Sequence, residues 1–256
     1  MDELILNSGL KDKLKFYCTD NREDMGKIAA DFIAGKISEL LKKKNDIRII
    51  FASAPSQLDM LDNLIIDKRV DWSKITIFHM DEYLGLANDS DKSFKNFILN
   101  NISNKVKLNN IHLIDSENNP ENEAERYSQL LNEDVIDIVC LGIGENGHIA
   151  FNDPHVADFK DEKTMKVVEL DDLSRKQQVN DRIFEKFEDV PSKALTLTIP
   201  ALISAESLFC TVPGKNKHNA IRNLFEGEVS EYCPASIMRC HKDASLFMDK
   251  EAYRGG

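Results

Sequence analysis

Residues 136–154 read IDIVCLGIGENGHIAFNDP, and the fold is decided there. The segment opens as a short, β-branched apolar run, Ile136-Asp137-Ile138-Val139-Cys140-Leu141, as a buried strand should. It then breaks at Gly142, Gly144 and Gly147, and closes with His148 and Asp153-Pro154. A strand emptying into a glycine-rich turn that carries a histidine and a carboxylate is how α/β proteins build sites at the carboxyl ends of strands. A second stretch has the same form: Ile75-Thr76-Ile77-Phe78 runs into His79-Met80-Asp81-Glu82-Tyr83. If the two strands are parallel neighbours, Asp81 and His148 emerge at one edge of one sheet.

Outward from these motifs, strands and helices alternate. Residues 14–18 form a short strand and 21–43 a helix, with Asn21 as cap, acids in the first turn and lysines in the last. Met25, Ile28, Ala29, Phe32, Ile33, Ile37, Leu40 and Leu41 recur at helical spacing and face a core. Lys42-Lys43-Lys44 reads as a solvated helix end. Further strands are expected at 47–52, 111–114, 194–199 and 207–212, and helices at 58–66, 93–100, 121–131 and 218–226. Residues 172–184 are a helix or a lid. The alternation predicts a Rossmann-like, doubly wound, mostly parallel sheet with helices on both faces. No repeat, low-complexity stretch or proline-rich linker interrupts residues 1–256, so one domain is expected.

A net charge of −11 argues against nucleic-acid or anionic-membrane surfaces. An anionic small substrate then requires a local basic cradle. The five cysteines (18, 140, 210, 233 and 240) are widely spaced and form no CxxC pair, which fits a reducing compartment. No signal-like start and no apolar run near the roughly 18 residues of a membrane span is present. A cytoplasmic protein is expected.

A histidine in a tight turn is often only structural. Here the glycine flanks, the preceding strand and Asn152-Asp153 argue for proton chemistry, since imidazole titrates near neutrality. The turn is neither a dinucleotide fingerprint nor a Walker loop, lacking the ribose acid and the Gly-Lys-Ser/Thr. Asp81 and Glu82 point opposite ways on a continuing strand, so only one faces a pocket as a carboxylate base. His79, Asp81, His148 and Asp153 lack HxxxH or HxH spacing, and no metal is expected. Lys217, after Pro213-Gly214 and at a helix start, is a natural phosphate contact. Ser53 and Ser56 can donate from the loop after an earlier strand, and Arg175 or Arg182 can clamp a phosphate.

MDEYLGL at 80–86, LGIGENGHIAFNDP at 141–154 and PGKNK at 213–217 closely resemble the glucosamine-6-phosphate deaminase (isomerase) family, within a superfamily that includes 6-phosphogluconolactonases. The resemblance runs from about residue 47 to 248. It implies cofactor-free conversion of glucosamine 6-phosphate and water to fructose 6-phosphate and ammonia, by ring opening and then enolisation. Asp81 matches the enolisation base and His148 the residue that opens the pyranose. Asn146 falls where some members have an aspartate, and Asp153 where many have glutamate. Gly144 belongs to the matched turn. Lys217 and Arg182 match phosphate positions, Arg182 by a looser alignment. Ser53-Ala54-Pro55-Ser56 stands where the family is often glycine-rich, and Pro55 offers no N–H. The basic residues of an allosteric sugar-phosphate site have no match near residues 164–168, so allosteric activation is not expected. A lactonase, or a deaminase of another hexosamine 6-phosphate such as galactosamine 6-phosphate, is the alternative. Lactonases typically carry alanine-serine after the histidine and lack MDEY in this form. A non-catalytic sensor would have no reason to keep Asp81 with His148. Family members occur in different assemblies, so a homo-oligomer stays open.

Overall fold

The computed structural model describes residues 2–87 and 89–254. It opens with a hairpin of β1 (Ile5–Lys11) and β2 (Leu14–Thr19). Helix α1 (Arg22–Leu40) follows, its Asn21 side chain accepting from the Asp24 amide. Next come β3 (Ile47–Phe51), α2 (Leu58–Ile66), β4 (Ile75–His79), β5 (Asp81–Tyr83), α3 (Phe94–Ile98), β6 (Asn110–Ile111), α4 (Pro120–Asn132) and β7 (Ile138–Leu141). The remainder supplies β8 (Met165–Glu169), α5 (Asp172–Asn180), β9 (Lys193–Leu197), α6 (Ile199–Ile203), β10 (Ser207–Val212), α7 (His218–Glu226), β11 (Ala244–Asp249) and α8 (Lys250–Arg254).

Eight strands make the main sheet, in the order β1-β2-β11-β10-β7-β3-β4-β6, parallel throughout except at the β1–β2 hairpin. The strand period of two sorts the core. Ile49, Phe51, Ile75, Ile77, Ile138 and Cys140 pack on one face with α1 and α2. Ile50, Phe78, Val139 and Leu141 pack on the other with Tyr127 and Leu131 of α4 and Ile221 and Leu224 of α7. Both faces are thus covered, as a parallel sheet requires.

From β3 the chain steps to β4 and β6 on one side, and from β7 to β10 and β11 on the other. The order therefore reverses between β3 and β7, where a crevice opens outside the strand ends. The loops after β3, β7 and β10 meet there.

Four features differ from the sequence expectation. Strand β4 and strand β7 are not neighbours, because β3 lies between them, yet their carboxyl ends share one edge. Strand β1 escaped the periodicity because its largely exposed edge position imposes no apolar alternation. Strands β5, β9 and β8 form a separate three-stranded antiparallel sheet, in which Asp81 pairs with Thr196. Helix α1 also stops before the lysines. Lys44 pairs with buried Asp137 at 2.5 Å, tying the helix exit to the start of β7. No helix among the described residues is long and apolar enough to cross a membrane.

Candidate active site

The crevice holds a cleft of about 490 Å³, whose lining includes Ser53, Ser56, Asp81, Gly144, His148 and Lys217. Six residues separated by up to 164 positions in the chain converge there because three loops and the start of β5 meet at the same edge.

Asp81 and Glu82 divide as the strand period demands. Glu82 turns away and is almost wholly buried. Its Oε1 accepts from the amides of Tyr83 (2.9 Å) and Phe94 (3.0 Å), and its Oε2 from that of Lys95 (2.7 Å), holding the start of α3. Asp81 faces the cleft at only 6% exposure. Burial, helped by the neighbouring Glu82 charge, raises its carboxyl well above the usual carboxylate range. A carboxyl so placed can both take and return a proton near neutral pH.

His148 sits in the turn after β7. Its carbonyl accepts from Gly144 N (2.9 Å), and Gly147 N donates to Gly144 O (3.0 Å). Gly147 has a φ of +89°, which a side chain resists. At Gly144 the need is closeness instead: a Cβ there would lie 2.2–2.3 Å from three atoms of the imidazole. Ala150, also on the cleft, holds a φ of +50°. The outgoing segment is moored to β9, with Phe151 N donating to Thr196 Oγ1 (3.0 Å) and Asn152 Nδ2 to Leu197 O (2.8 Å).

Behind the ring, His148 Nδ1 lies 2.9 Å from Asp153 Oδ1 and 2.9 Å from Ser174 Oγ, and Ser174 Oγ donates to the same carboxylate oxygen. Burial would raise the Asp153 carboxyl, but hydrogen bonds from His148, Asn146 and Ser174 outweigh it and hold the group ionised, well below the usual range. An ionised carboxylate only accepts, so the proton belongs on Nδ1 and Nε2 is left with its lone pair for the cleft. Asn146 braces this arrangement without lining the cleft. Its Oδ1 accepts from His148 N (3.0 Å), and its Nδ2 donates to Asp153 Oδ1 (2.9 Å) and Asp171 Oδ2 (3.1 Å). The shorter Asp153 reaches the histidine, and the amide at 146 bridges two carboxylates that an aspartate there would repel.

Lys217 is 6% exposed, and its side chain makes no hydrogen bond or ion pair among the described residues. Burial lowers its ammonium from the usual lysine range, opposed by the charges of Asp181 and Glu145. Ser53 Oγ is likewise buried without a partner among the described residues. Arg22, also on the cleft, ties down the serine loop, donating to Pro55 O (3.0 Å) and Asp59 Oδ2 (2.7 Å). A buried cation after β10 and a spare hydroxyl after β3, on either side of β7, suit an anion.

The two arginines do not join this cleft. Arg182 is exposed at the exit of α5, with a φ of +61°, and lies outside the lining. Arg175 donates to Phe187 O (3.1 Å) and Val190 O (2.9 Å) and lies 4.0 Å over the Phe187 ring, so it pins that segment instead. The sequence did not reveal Gln177, Gln178 and Asp181, which α5 brings to the cleft. Their only sequence signal is the Asp171 cap, whose Oδ1 accepts from Ser174 N (2.6 Å) and fixes the helix phase.

His79 is buried, neutral and outside the lining. Burial lowers its imidazole to about 3, and its Nε2 accepts from Ile114 N (2.8 Å). Among the described residues one group gathers metal-type ligand atoms within 4.8 Å, namely Asp153, His155 and Asp171. Both Asp153 oxygens there are already taken, Oδ1 by the histidine network and Oδ2 by Asp171 N (3.3 Å).

Fold and site together define a doubly wound α/β enzyme with a carboxyl, an imidazole and a buried lysine lining the cleft at its switch point. The chain belongs to the family of glucosamine-6-phosphate isomerases and 6-phosphogluconolactonases, which it matches over residues 20–247. It is 32% identical over 246 residues to the glucosamine-6-phosphate deaminase of Clostridium acetobutylicum, covering 93% of this chain and 98% of that one. A Clostridium botulinum (strain Alaska E43) enzyme of the same name is 34% identical, with 93% and 95% covered. Among solved structures, a monomeric glucosamine-6-phosphate deaminase superposes with a TM-score of 0.84 at 31% identity, covering 94% of this chain and 98% of that one. A Thermotoga maritima 6-phosphogluconolactonase shares the fold, with a TM-score of 0.77 at 22% identity and 93% and 100% covered.

Proposed function

We propose that the chain is a glucosamine-6-phosphate deaminase, a deaminating aldose–ketose isomerase that yields fructose 6-phosphate and ammonia. The observation that carries this reading is Asp81 and His148 on one cleft beside an unpaired, buried Lys217. The C2 proton of a sugar is too weakly acidic to remove until the ring opens. His148 Nε2 takes the anomeric hydroxyl proton and returns one to the ring oxygen, giving the open aldehyde. Asp81 then removes the C2 proton and delivers it to C1, while a proton passes from the amino nitrogen to O1. The resulting C2 imine adds water and expels ammonia. Each such proton transfer is worth about 10²- to 10⁴-fold in rate. Lys217, with Ser53 and Ser56, holds the phosphate, and that fixed tail aligns C1 and C2 with the carboxylate.

Lys217→Gln is expected to raise KM for the sugar phosphate by about 10- to 100-fold, the worth of a hydrogen bond to a charged group. Thermal stability should hold or rise, since an unpaired buried ammonium is removed. An unchanged KM would place the phosphate elsewhere.

Close relatives share the deaminase name, so the substrate is what needs testing. Ammonia release is measured on glucosamine, galactosamine and mannosamine 6-phosphates, beside hydrolysis of 6-phosphogluconolactone. Glucosamine 6-phosphate should give the highest kcat/KM. Preference for another epimer keeps the chemistry and overturns the substrate. Lactone hydrolysis with no ammonia overturns both. Size-exclusion chromatography with light scattering answers whether copies associate.

A further inference from the structure

We infer that Ser174 is a positioning residue that locks the His148–Asp153 pair to helix α5, so that docking of α5 and orientation of the ring-opening imidazole are one event. This inference rests on the role proposed above for His148. Ser174 is 1% exposed and belongs to the helix, whereas its two partners lie on the turn after β7. Its hydroxyl has one proton, and that proton goes to Asp153 Oδ1. A lone pair remains to receive Nδ1–H. The serine thus braces both members of the pair and favours the tautomer with Nε2 free.

Three further hydrogen bonds join α5 or its cap to the same turn. Glu145 N donates to Gln177 Oε1 (2.8 Å), Asn146 Nδ2 to Asp171 Oδ2 (3.1 Å), and Asp171 N to Asp153 Oδ2 (3.3 Å). The helix also carries Gln177 and Gln178 onto the cleft, and Asp181 follows at its end. A substrate that touches these groups therefore presses on the element that steers the histidine. Asn146 fits this scheme. As an amide it can bond Asp153 and Asp171 at once, stitching turn to cap, where a carboxylate would push them apart. A buried serine that only fills space would need none of these bonds.

The test replaces the hydroxyl and reads the ring directly. Ring ¹⁵N spectra above neutral pH, with the His148 signals assigned by their loss in His148→Gln, report which nitrogen carries the proton. In the unaltered protein Nδ1 should be protonated and Nε2 bare. Ser174→Ala should move His148 toward a mixture of tautomers. It should lower kcat about 10- to 100-fold, as loss of an outer partner does for metal-bound histidines, with KM changed by less than about twofold. If Ser174→Ala does not fold, Ser174→Cys replaces it, since a thiol fills the space but donates weakly. A variant that keeps both the tautomer and kcat overturns the inference. So does one that loses activity and thermal stability while the tautomer stays fixed, which is the signature of a packing role. The spectra need no substrate. Failure of the deaminase reading would appear as an unaltered protein inactive on every hexosamine 6-phosphate, whatever the ring shows.

Discussion

Asp81→Asn is expected to lower kcat for ammonia release by about 10²- to 10⁴-fold, the range for loss of one acid–base group, while KM moves little. The amide matches the carboxyl in shape but cannot take the C2 proton. Because burial and Glu82 push Asp81 up, the acid limb of the pH–kcat/KM profile should lie above the ordinary carboxylate value of about 3.9. Activity rises as pH climbs through that elevated pKa, because the base must be ionised. Stability moves the other way. A carboxyl whose folded pKa is raised contributes stability fully present below its unfolded pKa, and that contribution is lost as pH rises through the folded one. At pH 7 the asparagine variant should therefore unfold at no lower temperature than the parent. Its stability should also vary less with pH above about 4, the unfolded carboxylate value. A residual activity within tenfold of the parent would remove Asp81 from the base role. An acid limb left at the ordinary carboxylate value would remove the burial account.

Gly144→Ala is the second large effect, and it comes from geometry alone. The new methyl would sit 2.2–2.3 Å from Cε1, Nδ1 and Nε2 of His148. The ring cannot yield cheaply, since Asp153 and Ser174 hold Nδ1 from behind. Either the imidazole swings out of the cleft or the turn opens and breaks the Gly144–His148 hydrogen bond of 2.9 Å. Activity should fall about 10²-fold or more, comparable to His148→Gln, because both remove the same group from the reaction. The two changes combined should cost little beyond either alone. A double variant whose losses multiply would mean that Gly144 serves substrate rather than the ring.

Much of the fold was legible because its cause is local. Strand β7 announces itself through β-branched residues buried on both faces, and the turn after it through glycines, Gly147 for its positive φ and Gly144 for the closeness of the imidazole. The alternation of Ile49, Ile50 and Phe51 between two cores is a period that any strand must show when both faces are covered. The positions of Asp81 and His148 followed, since a parallel sheet delivers all its strand ends to one edge. The edge strand β1 left no such period, and the small antiparallel sheet gave strands without saying which sheet they join.

By itself the sequence determined the doubly wound class, the site at the strand ends and the pairing of an acid with a histidine there. Each follows from backbone geometry over a few consecutive residues. Only the tertiary structure decided what Glu82 does, turned from the cleft and holding the start of α3. It also decided that Arg182 stays outside and that Ser174 completes the histidine pair. Those outcomes depend on which way a side chain points once a distant helix has docked. Ser174 lies 26 residues from His148, and hydrogen bonds across such a gap impose no spacing on the sequence between.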